Sequence, residues 1–222
     1  MGLARLGAGG AVSAKVALLG AECTGKSSLT QQLGARLADL RAACVAEYLR
    51  EWCLQQGRTP QAAEQAGIAA EQARRIAAAS TTHPLVVADT TPLMTALYSI
   101  HYFGDASALA AAVAAQRDFD LTLLCSPSGI DWQRDGWLRE SPDVRQATHD
   151  ELHALLRAQG LPFSVLTGPI HTRAALAEAL IRALPRRTPA PVAGTDRAAQ
   201  ALWTCACCDW PQAEARLRQL EA

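Results

Sequence analysis

The residues best suited to chemistry form one short run, Gly20-Ala21-Glu22-Cys23-Thr24-Gly25-Lys26-Ser27. Its spacing, G-x-x-x-x-G-K-[ST], is typical of a loop whose backbone N–H groups wrap a polyphosphate, at the positive end of the following helix. In such a loop Lys26 reaches the β- and γ-phosphates and the Ser27 hydroxyl binds Mg²⁺. We therefore assign this run and the next residue, Ser28, to a nucleoside triphosphate. The alternative is a glycine-rich turn that binds no nucleotide.

A second candidate is Asp89, the acid that ends the apolar run 85–88. An acid at the tip of a buried strand is typical of the Walker B position, where its carboxylate binds Mg²⁺ or accepts the proton of an attacking hydroxyl. We assign Asp89 to catalysis and to the metal. The alternative is a plain cap for the helix that starts at Thr90-Thr91-Pro92.

Two further charged residues, Glu47 and Arg50, follow the short strand candidate 42–46. Ligands of open α/β sheets bind beyond the carboxyl ends of the strands, so both side chains are predicted to project into the crevice of the phosphate loop. The alternative is a solvated helix start, with Glu47 stabilised by the helix dipole.

The segment 128–140 mixes tryptophans with charged residues, among them Trp132, Arg134, Asp135 and Arg139. Arginines beyond a strand tip fit a lid that closes on phosphates and excludes water. The alternative is an ordinary surface loop. Three aromatic residues of the helix candidate 93–103 could floor a pocket or belong to the core: Tyr98, Tyr102 and Phe103.

Alternating apolar runs and amphipathic patterns predict the elements that position these residues. The strand candidates are residues 15–19, 42–46, 85–89, 120–125 and 163–167. The helix candidates are residues 25–41, 60–80, 93–103, 141–160 and a stretch around 176–181. This alternation predicts an α/β fold of the P-loop NTPase class, a five-stranded parallel sheet with helices on both faces.

The sequence also predicts the extent of the domain. We expect a flexible lead-in over 1–14, the P-loop domain over 15–184, and a Pro/Arg/Ala-rich linker with a small helical tail over 185–222. The tail contains a C-x-x-C pair, Cys205 and Cys208, without a second pair or a nearby His, so a metal site there is one alternative among several.

Composition excludes several classes of protein. Charges balance at 21 basic and 21 acidic residues, so neither nucleic acid nor an anionic membrane is expected as a partner. No apolar run reaches the roughly 18 residues that span a bilayer, and seven cysteines show no disulfide spacing, so we expect a cytoplasmic protein. No N-K-x-D run, which would read guanine, is present.

Four motifs, G-A-E-C-T-G-K-S, A-E-Y-L-R-E, V-V-A-D-T-T and D-W-Q-R-D-G-W-L-R-E, together resemble the ribosylnicotinamide kinase domain of bacterial NadR proteins and its stand-alone relatives over residues 15–184. The resemblance implies an ATP- and Mg²⁺-dependent kinase that phosphorylates the 5′-hydroxyl of nicotinamide riboside and so feeds NAD synthesis. NadR proteins often carry Trp where this chain has Ala46, so the identity of the acceptor stays open.

The same resemblance implies roles for individual residues. The catalytic candidates are Lys26, Glu47, Asp89 and Arg139. The acceptor-binding candidates are Glu47, Tyr48, Arg50, Gln72, Trp132 and Asp135. The sequence thus predicts a kinase for a small-molecule nucleoside; the alternative is a regulatory module that senses ATP or hydrolyses it slowly.

Overall fold

Five parallel strands form the centre of the structure, a computed structural model that describes residues 13–133 and 141–185. The strands are β1 (Ala14–Leu19), β2 (Ala42–Val45), β3 (Leu85–Asp89), β4 (Leu121–Cys125) and β5 (Ser164–Leu166). Their order in the sheet is β2-β3-β1-β4-β5, and every neighbouring pair is parallel. β1 therefore lies in the middle, and its loop opens between the ends of its neighbours, where open α/β sheets bind ligands.

Among the described residues, six helices lie between successive strands and a seventh follows β5. They are α1 (Lys26–Arg36), α2 (Tyr48–Gln56), α3 (Ala62–Thr82), α4 (Pro92–Phe103), α5 (Leu109–Gln116), α6 (Pro142–Ala158) and α7 (Ile170–Arg182). A short 3-10 turn, Ala38–Leu40, follows α1. None of the described helices has both the length and the apolar character needed to cross a membrane.

The residues of β1 pack against helices on both faces of the sheet. Val16 and Leu18 belong to a buried cluster with α1 and α7, whereas Ala17 and Leu19 belong to one with α4 and α6. Successive strand residues point to opposite faces, so a strand apolar at every position needs helices on both sides. This confirms the predicted α/β fold.

Helix ends were predicted less accurately than strands. Ser141, the first residue of the helix candidate 141–160, caps α6 by accepting from the Val144 N–H at 3.2 Å. In contrast, α3 starts at Ala62 behind a Gln61–Glu64 capping box rather than at Pro60. The helix candidates also lack α5, whose Ala-rich sequence carries no clear start signal, and α2, for which the sequence offered a helix start only as an alternative.

All the described residues belong to one compact unit. The predicted lead-in lies outside the described residues, except for its last two positions, and the Cys-containing tail lies outside them entirely. The proposed domain limits stay a prediction.

Candidate active site

The loop between β1 and α1 has the backbone geometry that its glycines suggest. Gly20 has φ +154°, and a Cβ there would stand 2.7 Å from the Cys125 carbonyl oxygen, so no other residue fits without a shift. Gly25 has φ +80° and caps α1, which begins at Lys26. The N-terminus of α1 therefore opens on the loop, where its N–H groups can bind an anion.

The side chain of Lys26 is buried in this loop, with 7% of its surface exposed. Its Nζ donates to the carbonyl oxygens of Gly20 at 2.8 Å and Ala21 at 2.9 Å. An ammonium group has three protons, so these two bonds hold the charge inside the loop and leave one proton for a phosphate oxygen.

Arg173 of α7 holds the phosphate loop through hydrogen bonds to main-chain carbonyls, a role that the sequence did not predict. This arginine is fully buried and donates to three main-chain carbonyls: Nη1 to Thr24 at 3.1 Å, Nη2 to Ser128 at 2.6 Å and Nε to Gly168 at 2.7 Å. Burial lowers the pKa of Arg173. The side chain thus ties the phosphate loop to the loops that follow β4 and β5.

Asp89 lies at the end of β3 with only 2% of its surface exposed. Burial raises the pKa of Asp89, while Lys26, a hydrogen bond from Ser27 and Arg50 lower it. Its Oδ1 is buried and has no hydrogen-bond partner among the described residues. A buried carboxylate oxygen beside a hydroxyl is a donor set that suits Mg²⁺.

These donors do not form a complete metal site by themselves. Within residues 13–133 and 141–185 there is no cluster of three or more His, Cys, Asp or Glu side chains able to hold a metal ion. Mg²⁺ usually keeps several waters and binds through one or two protein oxygens plus substrate phosphates. Ser27 and Asp89 fit that pattern, so the metal would arrive with the nucleotide.

Glu47 occupies the N-cap position of α2, directly after β2. Burial raises the pKa of Glu47 and Asp89 raises it further, while Lys26 and Arg50 lower it. The charges of Asp89, Lys26 and Arg50 therefore act on the Glu47 carboxylate.

A cavity of about 620 Å³ joins the phosphate loop to a second group of residues. Residues 22–28 of the loop line it. The remaining lining residues come from other parts of the chain: Glu47, Leu49, Arg50, Cys53, Thr59, Pro60, Gln65, Tyr98, Tyr102 and Phe103. The aromatic residues of α4 thus line the pocket, and Tyr98 also packs against the core cluster of α4 and α6, so both possibilities raised by the sequence apply to Tyr98.

Gln65 of α3 is a cavity residue that the sequence gave no reason to choose. It is 6% exposed, and its Oε1 is buried without a hydrogen-bond partner among the described residues. An orphaned buried acceptor is costly, and a ligand that brings an N–H or O–H group would satisfy it.

The described part of the lid candidate packs against the phosphate loop. The Gln133 N–H donates to Cys23 Sγ at 3.3 Å, and the Arg145 guanidinium donates to the Cys23 carbonyl at 3.3 Å while stacking on the Trp132 ring at 5.4 Å. Trp132 is therefore beside the loop and does not line the described cavity. Asp135 and Arg139 lie outside the described residues.

Two other acceptor-binding candidates make protein contacts instead. The Tyr48 ring packs under the Arg75 guanidinium at 4.4 Å. Gln72 is 1% exposed and bonds to backbone groups at both ends of its amide. Neither residue lines the described cavity.

Comparisons with known proteins assign the chain to a family. Residues 15–173 match a family described as AAA domain. Among curated proteins, no match was found.

Three solved structures share the fold. A NadR protein in complex with NR superposes with a TM-score of 0.64 at 20% identity over 78% of this chain and 51% of that one. Thymidylate kinase from Ehrlichia chaffeensis gives 0.55 at 12% identity over 76% and 98%, and deoxyadenosine kinase from M. mycoides gives 0.52 at 12% over 76% and 98%.

This chain spans about half the length of the NadR chains that it matches. At these identities the structures establish the fold, and the predicted resemblance to NadR is confirmed at that level. Since the family match covers well over half of the sequence, the chain belongs to the AAA domain family, and it has the fold of the P-loop kinases.

Proposed function

We propose that this protein is an ATP-dependent kinase that transfers the γ-phosphate to the 5′-hydroxyl of a nucleoside, with nicotinamide riboside as the first acceptor to test. The observation that carries the proposal is that the phosphate loop, Glu47 and the aromatic side chains of α4 line one cavity. A nucleotide sensor needs only the phosphate loop. A phosphotransferase also needs a place for the acceptor and an acid in the same cavity.

We assign different roles to the two acids, metal binding to Asp89 and proton acceptance to Glu47. Asp89 is buried beside Ser27, and these two residues would hold Mg²⁺, which neutralises phosphate charge when bound. Glu47 lines the cavity itself, where it can meet the acceptor hydroxyl. A raised pKa makes its carboxylate a stronger base for that proton.

The other residues would bind and orient the two substrates. Lys26 and the N-terminus of α1 hold the phosphates, and Arg173 keeps the loop in shape. The acceptor ring would lie against Tyr98, Tyr102 and Phe103. The predicted lid arginine, Arg139, would close over the phosphates and stays a prediction.

The test is to incubate the protein with ATP, Mg²⁺ and a panel of nucleosides and to search for a monophosphate by mass spectrometry. A 5′-deoxy analogue of the best acceptor is the matched control and should give no product. Tight ATP binding with no phosphorylated acceptor would contradict the kinase and favour the sensor module.

Glu47→Gln tests the role of the base. We expect turnover to fall by about 10²- to 10⁴-fold, as is typical when a general base is lost, with ATP binding nearly unchanged. Turnover that stays within a few-fold of wild type would move the proton-accepting role away from Glu47.

A further inference from the structure

The side chain of Gln72, on α3, links two loops of the candidate site. Its Oε1 accepts from the Tyr48 N–H at 2.8 Å, and its Nε2 donates to the Thr90 carbonyl oxygen at 3.3 Å. Gln72 is 1% exposed, so water does not compete well for these bonds. The two loops are therefore joined through one buried amide.

The two backbone groups that Gln72 joins are neighbours of the two acids. Tyr48 directly follows Glu47, and Thr90 directly follows Asp89. The ladder between β2 and β3 ends where Val45 pairs with Ala88, one residue before Asp89 and two before Glu47. Beyond that pair, no strand pairing holds the segment that contains Glu47 next to the segment that contains Asp89. The Gln72 amide connects these two segments.

The backbone at Thr90 needs such support. Its φ is +75°, a left-handed conformation that a β-branched residue rarely adopts and that costs on the order of 1–3 kcal/mol. The Thr90 N–H donates to the Leu18 carbonyl at 3.0 Å, and its own carbonyl receives the Gln72 bond. Hydrogen bonds thus hold both the N–H and the carbonyl of this strained residue, which directly follows Asp89.

We infer that Gln72 is a positioning residue that sets the separation between the Glu47 and Asp89 carboxylates. The inference rests on the proposed function, because that separation matters only if one acid meets the acceptor hydroxyl and the other the metal. A displacement of about 1 Å in such a pair can cost on the order of 10²-fold in rate. The sequence analysis assigned Gln72 to the acceptor; here it acts through the backbone instead.

The test compares two buried glutamines. Gln72→Met keeps the approximate shape and removes both bonds. Gln116→Met is the matched control, because Gln116 is 2% exposed and also makes two side-chain bonds, accepting from Thr91 Oγ1 at 2.7 Å and donating to Thr122 Oγ1 at 2.9 Å. Neither of those bonds joins the neighbours of the two acids.

Turnover of the best acceptor is measured with the KM for ATP, the thermal unfolding midpoint and the hydrogen exchange of the Tyr48 amide. Both variants should lose similar stability. We expect Gln72→Met to lower kcat at least 10-fold with the KM for ATP within about twofold, and to speed Tyr48 exchange at least 10-fold. Gln116→Met should keep kcat within about twofold and leave Tyr48 exchange unchanged.

Equal losses of kcat in the two variants would overturn the inference, because they would show a general effect of stability. If Gln72→Met does not fold, Gln72→Glu replaces it: the new side chain keeps the acceptor for Tyr48 and loses the donor toward Thr90, so kcat should still fall. If the wild type phosphorylates no acceptor, the proposed function fails, and Tyr48 exchange alone decides whether the bridge exists. Exchange that is unaffected by Gln72→Met would then refute it.

Discussion

Replacing Asp89 with Asn should change stability and turnover in opposite directions. Asp89 is 2% exposed, and burial is the largest influence on its pKa, which is raised despite Lys26 and Arg50. Asparagine keeps the shape of the side chain and removes its charge. The substitution therefore tests whether this acid is kept for chemistry rather than for the fold.

The sign of the stability effect follows from the raised pKa. A folded protein whose acid has a raised pKa binds that proton more tightly than the unfolded chain does, so it loses stability as the pH rises above the ordinary aspartate value of about 3.9. At pH 7 the Asn variant avoids this penalty and should unfold at a higher temperature. A gain of about 1 kcal/mol would raise Tm by about 2–4 °C in a chain of this length.

The same substitution, Asp89→Asn, should lower turnover. Loss of an acid that acts on the metal or the hydroxyl typically costs about 10²- to 10⁴-fold, which corresponds to about 2.7–5.5 kcal/mol of transition-state stabilisation. ATP affinity should fall much less, because the effect is mainly on the transition state.

The assay pairs thermal unfolding between pH 4 and 8 with acceptor-dependent turnover. Asp120→Asn is the control: Asp120 Oδ2 accepts from the Lys15 N–H at 2.8 Å, at the opposite end of the strands, and an amide oxygen can replace it. This control should leave turnover unchanged. An Asp89→Asn protein that is less stable than wild type at pH 7 would refute the electrostatic argument, and turnover within threefold of wild type would refute the assignment to chemistry.

Three further predictions concern the loop and the acceptor end. Lys26→Ala should abolish turnover in a protein that remains folded by circular dichroism, because it removes the charge that the loop holds at its centre; normal turnover in the folded variant would refute the phosphate-loop assignment. Arg173→Met removes the donor to the carbonyls of Thr24 and Gly168, at about 1–3 kcal/mol each, while the Ser128 carbonyl keeps the Gly168 N–H at 3.1 Å. This loss is partly offset by the relieved burial of a charge, so Tm should fall by about 5–15 °C, whereas Arg182→Met, at the exposed end of the same helix, should change it little. Gln65→Met should raise the KM of the acceptor about 10-fold without changing that of ATP, and an equal rise in both would place Gln65 outside acceptor binding.

The parts of the fold that the sequence predicted are those encoded locally. The limits of β3 were predicted to the residue. Its five positions are all buried, so the sequence shows a short apolar run that ends at the charged residue Asp89. The loop 20–27 was predicted from its spacing, because Gly20 and Gly25 both have positive φ angles that other residues rarely adopt. Local patterns of this kind need no knowledge of the distant chain.

Contacts that are distant in sequence explain why the sequence did not indicate Arg173 and did not predict the backbone hydrogen bonds of Gln72. Arg173 lies in an amphipathic helix where an arginine is usually exposed, and its partner Thr24 is 149 positions away. Gln72 is 24 positions from Tyr48 and 18 from Thr90. Nothing in the residues around either side chain signals these partners, so only the folded structure could identify them.

The aromatic lining of the cavity bears on the acceptor. The chain has Ala46 where NadR proteins often carry Trp, but Tyr98 and Tyr102 occupy one face of α4 at a spacing of four, and Phe103 follows them. Tyr102 is 44% exposed and Phe103 41%, so both rings offer surface that a ligand in the cavity could cover. Burial and the nearby Glu47 raise the pKa of Tyr98, so its phenol stays protonated and keeps a proton to donate. Under the proposed function, the rings of α4 would take the place of that Trp beside a planar acceptor, so Ala46 does not by itself argue against a nucleoside.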